Sequence, residues 1–70
     1  MYSEGLSFKD NLKELRKEAN LTQAEFAQQL GVSKGIISLW ESGKREPTLS
    51  SLILISHFFN ISIDSLVGND

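Results

Sequence analysis

Hydrophobic residues recur along the chain with the spacing of one helix face, and each such stretch begins at a residue that commonly caps helices. Behind the cap Ser7, the first stretch has apolar residues at i, i+4, i+7 and i+11: Phe8, Leu12, Leu15 and Ala19. No stretch alternates with period two over a useful length. The pattern therefore predicts an all-α fold, a compact five-helix bundle with helices over residues 7–19, 22–30, 33–42, 48–59 and 62–67.

Three of the predicted helix starts share one arrangement, in which a capping residue follows an apolar residue that meets another in the first turns. Thr22 and Glu25 form a capping box, and Ser33 and Ser62 are the caps of two further helices. The flanking apolar pairs are Leu21 with Phe26, Val32 with Ile37, and Ile61 with Leu66. Glycines at 31, 43 and 68 are expected to end helices in the left-handed conformation.

The fourth predicted helix is richer in apolar residues than one inner face requires. With Thr48 as its cap, the inner face is predicted to hold Leu49, Leu52, Ile55, Ser56 and Phe59. The helix also carries Ile53, Leu54 and Phe58, and the last two are i, i+4 neighbours. This excess indicates either a richer core or a surface for a partner.

Composition adds that the chain is a single globular domain. It has 70 residues, of which 40% are hydrophobic and 23% charged, and no cysteine, which excludes disulfides and thiolate metal sites. No apolar run approaches a membrane span, and no basic start precedes an apolar stretch, so we expect a cytoplasmic protein. We expect residues 1–6 to be a flexible N-terminal arm, residues 7–68 the domain, and residues 69–70 a C-terminal tail.

The second and third helices are joined by Gly31 and Val32 alone, so they must cross at a large angle, as in a helix-turn-helix. Ala27 falls where the two helices approach most closely, and a larger side chain there would force them apart. Apolar residues surround that point: Phe26, Leu30, Val32, Ile37 and Trp40. The alternative is a small helical bundle with no role in DNA binding.

These features are part of a longer motif: Leu12-x-x-Leu15-Arg16, Leu21-Thr22-Gln23-x-x-x-Ala27-x-x-Leu30-Gly31-Val32-Ser33, Ile37-Ser38-x-Trp40-Glu41-x-Gly43-x-Arg45-x-Pro47 and Leu52-x-x-Ile55. The motif resembles the Cro/CI-type (Xre) helix-turn-helix family over about residues 8–68. The resemblance implies a bundle of the lambda-repressor type that binds double-stranded DNA. Its third helix would enter the major groove, usually as one half of a homodimer on a two-fold operator.

Four residues near the exposed side of the third helix are the candidate base readers: Lys34, Gly35, Ser38 and Leu39. Lys34 can donate to guanine, Ser38 can donate or accept, and Leu39 can contact a thymine methyl group. The alternative for Lys34 is a phosphate contact. Gly35 departs from the family, which often has a polar reader there, and indicates either close approach of the backbone to DNA or weaker readout.

The candidate phosphate contacts are Gln23, Ser33, Lys44 and Arg45. Gln23 matches the family glutamine that bonds a phosphate at a helix N-terminus, and its alternative is simple solvation there. The resemblance further implies a structural ion pair between Arg16 and Glu41.

The whole chain carries a net charge of −2, so only a local excess of basic residues can favour DNA binding. Residues 31–48 hold three basic side chains against two acidic ones, net +1, and the rest of the chain holds four against seven, net −3. The basic loop at Lys44 and Arg45 is therefore the part of this acidic chain suited to a polyanion.

The leading hypothesis is a dimeric transcriptional regulator, a repressor on a palindromic site with half-sites about 10–10.5 bp apart. Leu54, Phe58 and Ile63 are the dimer-interface candidates. One alternative is a protein-interaction module, such as an antitoxin that binds its partner through helix 48–59. Another is the DNA-binding part of a longer regulator.

No chemistry for catalysis, metal binding or a cofactor is predicted. His57 is the single histidine and has no cysteine, second histidine or suitably spaced carboxylate pair to form a metal site. Neither a glycine-rich phosphate loop nor a nucleophile and base at a known spacing is present, so the chain is not expected to be an enzyme.

Overall fold

The computed structural model describes residues 7–68, over which the chain forms five α-helices and no strand. They are α1 (Phe8–Glu18), α2 (Gln23–Leu30), α3 (Lys34–Ser42), α4 (Leu49–Phe59) and α5 (Ile63–Val67). The predicted all-α bundle is thus confirmed, with helix ends that differ by one residue at most. The predicted arm at 1–6 and tail at 69–70 lie outside the described residues.

Side-chain caps start four of these helices at the predicted residues. In α2 the capping box is complete: the Glu25 N–H donates to Thr22 Oγ1 (3.0 Å), and Glu25 Oε1 accepts from the Thr22 N–H (2.9 Å). The hydroxyl oxygens of Ser33, Thr48 and Ser62 likewise each accept from the N–H three residues on. Ser7 begins α1 differently, because its hydroxyl donates to Asp10 Oδ2 (2.9 Å).

The core lies where α1 and α2 pack on α3 and where α5 packs on α1 and α4. Its buried apolar side chains are Leu12, Phe26, Ala27, Leu30, Ile37, Trp40, Ile55 and Leu66. Phe8 at the start of α1 packs its ring edge-on to Trp40, with centroids 6.4 Å apart. Because Ile37 and Trp40 are both in this core, α3 is held by one face along its length.

Two apolar residues do not lie where the pattern predicts. Leu49 is 68% exposed, because it is the first residue of α4 and its side chain extends beyond the edge of the core. Ala19 is the C-cap of α1 and is exposed. Phe58, for which the sequence left open a richer core or a partner surface, is half-buried: its ring centroid lies 5.4 Å from that of Phe26 and 5.0 Å from that of Phe59.

The short helix α5 is held by a polar contact from α1 that the sequence analysis did not predict. The Asn11 side-chain amide donates to the backbone oxygens of Ser65 (3.3 Å) and Leu66 (3.0 Å). Those carbonyls belong to the last turn of a five-residue helix, which has few internal hydrogen bonds of its own. Asn11 therefore stabilises the C-terminal end of the domain.

Candidate nucleic-acid interface

The turn between α2 and α3 is tight and closed by backbone hydrogen bonds. Gly31 has φ +84°, and the N–H groups of Gly31 and Val32 both donate to the Ala27 carbonyl, at 2.9 and 3.0 Å. Ala27 is 3% exposed and has α3 as its neighbour across the turn. The turn therefore sets how α3 leaves α2, as the helix-turn-helix prediction requires.

The outward face of α3 is free of the core along its N-terminal half. Ile37 is fully buried, whereas Lys34, Gly35 and Ser38 are exposed and Leu39 is half-buried. The structure thus brings the four predicted base readers onto one helix with a solvent-facing surface. Their contribution to readout stays a prediction.

Gly35 has no intramolecular reason to be glycine. Its backbone is helical, with no positive φ, and a Cβ built there would meet only Ser33 Oγ, at 3.9 Å. A side chain would fit this position without a clash. Glycine in a helix destabilises it relative to alanine, and the packing of residues 7–68 does not require glycine at this position.

The Leu39 carbonyl ties the loop after α3 back to the helix. The Leu39 oxygen accepts from the Ser42 hydroxyl (3.1 Å) and from the N–H groups of Lys44 (3.0 Å) and Arg45 (3.3 Å). The side chains of Lys44 and Arg45 are exposed. Two cations are therefore held at the C-terminal end of α3, while the base-reading candidates lie toward its N-terminal end.

The predicted ion pair between Arg16 and Glu41 is present and buried. Arg16 Nε donates to Glu41 Oε2 (2.7 Å), Nη2 to Oε1 (3.0 Å), and Nη1 to the Leu21 carbonyl (2.8 Å). The two side chains are 11% and 2% exposed. The hydrogen bonds that Arg16 donates to Glu41 raise the pKa of Arg16 above its usual value, and burial opposes this effect. The pair joins α1 to the last turn of α3.

Gln23, predicted to bond a phosphate, has a protein partner. Its Nε2 donates to Glu41 Oε1 (3.1 Å), and the side chain is half-buried. A primary amide has two N–H donors, so one is left for a ligand. Ser33, whose Oγ accepts from Ile36, likewise keeps its hydroxyl hydrogen for donation. The sequence carried no signal for the Gln23 contact, which depends on how α2 meets the end of α3.

The exposed apolar surface of the described chain lies on α4. Leu49, Ile53 and Leu54 are 68%, 41% and 43% exposed. Of the three dimer-interface candidates, Leu54 is exposed, whereas Phe58 and Ile63 are half-buried. Leu54 is therefore the most exposed of the three candidates.

Residues 7–68 contain neither a candidate metal site nor a candidate membrane span. No group of three or more histidine, cysteine or acidic side chains is placed to bind a metal ion. None of the helices in this range is long and apolar enough to cross a bilayer.

Comparison with known proteins identifies the domain. A family model described as helix-turn-helix matches residues 12–66. The transcriptional activator BcrR of Enterococcus faecalis is 46% identical over 65 residues, covering 93% of this chain and 32% of that protein. The antitoxin PezA of Streptococcus pneumoniae is 38% identical over 60 residues, covering 86% of this chain and 38% of that protein.

A solved structure of the P22 c2 repressor with a synthetic operator superposes with a TM-score of 0.82 at 30% identity, covering 91% of this chain and 97% of that one. This chain spans only between 32% and 54% of the length of three curated relatives that it matches. The family consists of regulator domains rather than enzymes. The chain belongs to the helix-turn-helix family of DNA-binding transcriptional regulators, of the Cro/CI (Xre) type.

Proposed function

We propose that this domain binds double-stranded DNA sequence-specifically, with α3 in the major groove, and acts as a homodimeric repressor on a two-fold symmetric operator. The observation that carries the proposal is the form of α3. Ile37 and Trp40 hold the helix in the core, while Lys34, Gly35 and Ser38 face solvent at its N-terminal end. A helix presented in this way can dock its N-terminal residues against base edges.

Base readout would come from few groups. Lys34 donates to guanine O6 or N7, Ser38 donates or accepts, and Leu39 contacts a thymine methyl group. Gly35 lets the backbone of α3 approach the bases closely, which agrees with the lack of any internal need for glycine there. The competing role for Lys34 is a phosphate contact, which carries no sequence information.

Phosphate contacts would surround this reading surface. The remaining amide hydrogen of Gln23 and the hydroxyl of Ser33 lie at the N-termini of α2 and α3, where exposed N–H groups favour anions. Lys44 and Arg45 lie at the other end of α3 in a loop fixed by hydrogen bonds. These four residues would set the register of α3 on the duplex.

The dimer would form through α5 and part of α4, with Leu54, Phe58 and Ile63 at the contact. Exposure of Leu54 on α4, which packs against α5, supports this surface. Sedimentation over a dilution series tests it. A particle that stays monomeric at high micromolar concentration contradicts a dimer in free solution.

The decisive experiment is selection from randomised duplexes, followed by titration of the selected duplex against salt for the wild type and Lys34→Ala. A two-fold symmetric consensus that binds far more tightly than random DNA supports the proposal. Relaxed preference at one base pair in Lys34→Ala indicates base readout, and uniform weakening indicates a phosphate contact. No consensus, with weak binding lost near physiological salt, contradicts sequence-specific recognition.

A second function, binding of a protein partner, is supported by the apolar surface of α4. Leu49, Ile53 and Leu54 are large apolar side chains that are exposed together on this helix, and exposed apolar patches often bind partners. The similarity to an antitoxin agrees with such a role. If selection yields no consensus and Leu54→Ser improves solubility of the free domain, a protein partner on α4 becomes the better proposal.

A further inference from the structure

The side chain of Lys9, on α1, lies across the glycine that ends α3. A Cβ built on Gly43 would be 2.8 Å from Lys9 Cδ and 3.3 Å from Lys9 Cε, so any residue but glycine would displace the lysine. Gly43 also has φ +77°, which disfavours other residues independently. The lysine stem is therefore packed on the C-cap of α3, directly before Lys44 and Arg45 in the chain.

The ammonium group of Lys9 is available to a ligand. It lies 3.3 Å from Asp10 Oδ1, and its side chain is 46% exposed. The hydrogen bond from Ser7 holds the pKa of Asp10 below its usual value, and Lys9 and Lys13 add to this effect, so the carboxylate is charged at neutral pH. Ion pairs this exposed are weak, and an ammonium has three donors of which this contact uses one.

Lys9 faces the same space as a predicted phosphate contact. Lys9 and Arg45 both line a cleft of about 410 Å³ between the start of α1 and the loop after α3. Trp40 and Leu52 supply apolar walls, and Glu46 also lines the cleft. A lysine of α1 and an arginine of the loop after α3 thus line the same cleft.

The local charge of this region favours an anion. Lys9, Lys44 and Arg45 are opposed by Asp10 and Glu46, three basic groups against two acidic ones, which leaves net +1 in a chain of net −2. Along α1 the next lysine, Lys13, lies elsewhere: it lines a separate surface depression with Asp10, Glu14 and Lys17. Lys9 is therefore set apart from the other lysines of α1 by its position.

We infer that Lys9 is a phosphate-contacting residue of the DNA interface, which acts with Arg45 at the C-terminal end of α3. The inference rests on the proposed function and extends its contact surface to α1. The ligand group is a backbone phosphate of the duplex, bound by a point charge and a guanidinium from two sides of the cleft. Gly43 serves this arrangement, because it allows the lysine stem to cross the end of α3.

The test compares Lys9→Met with Lys13→Met. Methionine keeps an unbranched stem across Gly43 and removes the charge, and both variants change the net charge equally on one helix. Affinity for the selected duplex is measured over a series of salt concentrations. We expect Lys9→Met to reduce the slope of log affinity against log salt by about 1 per subunit and to weaken binding evenly across sequences. Lys9→Arg and Lys13→Met keep the wild-type slope.

Single uncharged methylphosphonates in the selected duplex then locate the contact. At the phosphate bound by Lys9, the substitution weakens the wild type but leaves Lys9→Met unaffected. Equal slopes for Lys9→Met and wild type, with a reduced slope for Arg45→Ala, overturn the inference and leave the proposed function standing. A wild-type protein that selects no duplex overturns both. Thermal unfolding of each variant confirms that the binding differences arise in the folded domain.

Discussion

Replacement of Arg16 by alanine is expected to unfold the domain before it affects DNA binding directly. The change removes three hydrogen bonds, two to Glu41 and one to the Leu21 carbonyl. It leaves the Glu41 carboxylate, whose side chain is 2% exposed, hydrogen-bonded to the amide of Gln23 but without its cationic partner. A buried charge without its counter-ion is strongly destabilising because water cannot replace the lost partner.

The magnitude follows from that burial. Breaking a buried pair by removing one partner costs about 3–5 kcal/mol. Domains are stable by about 0.05–0.15 kcal/mol per residue, which is about 3.5–10.5 kcal/mol for 70 residues. Arg16→Ala therefore removes more than about a quarter of the stability, and all of it if the domain is near the lower bound.

Urea unfolding measures this loss directly. Trp40 is the single tryptophan and is 3% exposed, so its fluorescence reports the core. With a denaturant slope of about 1–3 kcal/mol/M, the midpoint should fall by at least about 1 M. Lys17→Ala, on the next residue and exposed, is the control and should stay within about 0.5 kcal/mol of wild type.

A double variant separates charge burial from packing. Arg16→Met with Glu41→Leu removes both charges and keeps apolar volume, so it should recover much of the stability that Arg16→Ala loses. If Arg16→Ala and Lys17→Ala unfold at the same urea concentration, the account of this pair is refuted.

Three further predictions test other contacts. Gly35→Ala should stabilise the domain by about 0.5–1 kcal/mol, raising the Tm by about 2–8 °C, yet weaken binding to the selected duplex; unchanged binding would contradict close approach at Gly35. Asn11→Ala should cost about 1–3 kcal/mol in urea unfolding and speed amide exchange in α5, whereas exposed Gln28→Ala should do neither. Leu54→Glu should lower the dimer fraction in sedimentation more than Leu49→Glu, and equal effects would move the interface away from Leu54.

Local sequence signals predicted most of the fold because they act within one turn of helix. The capping box at Thr22 and Glu25 and the left-handed glycine at Gly31 depend on neighbours three or four residues away, and the structure confirms both. The wrong predictions concern burial, which depends on whether another helix packs against the residue. Leu49 fits the helical period of α4, but no element within residues 7–68 covers the first residue of that helix.

The sequence predicted which residues form the candidate site and which of them are exposed. It predicted fewer of the contacts that these residues make. Exposure of Lys34 and Ser38 follows from the period of α3 once Ile37 and Trp40 face inward. The bond from Gln23 to Glu41 and the crossing of Gly43 by Lys9 join residues 18 and 34 positions apart. Contacts over such separations depend on how helices pack, which no local pattern encodes.

The hydrogen bonds to the Leu39 carbonyl have a consequence for the thermodynamics of association. Because the backbone of Lys44 and Arg45 is already tied to α3, the loop loses little conformational entropy when it meets a ligand. The ordering cost of binding falls on the side chains alone. The same hydrogen bonds fix the backbone positions of Lys44 and Arg45 relative to the residues at the start of α3.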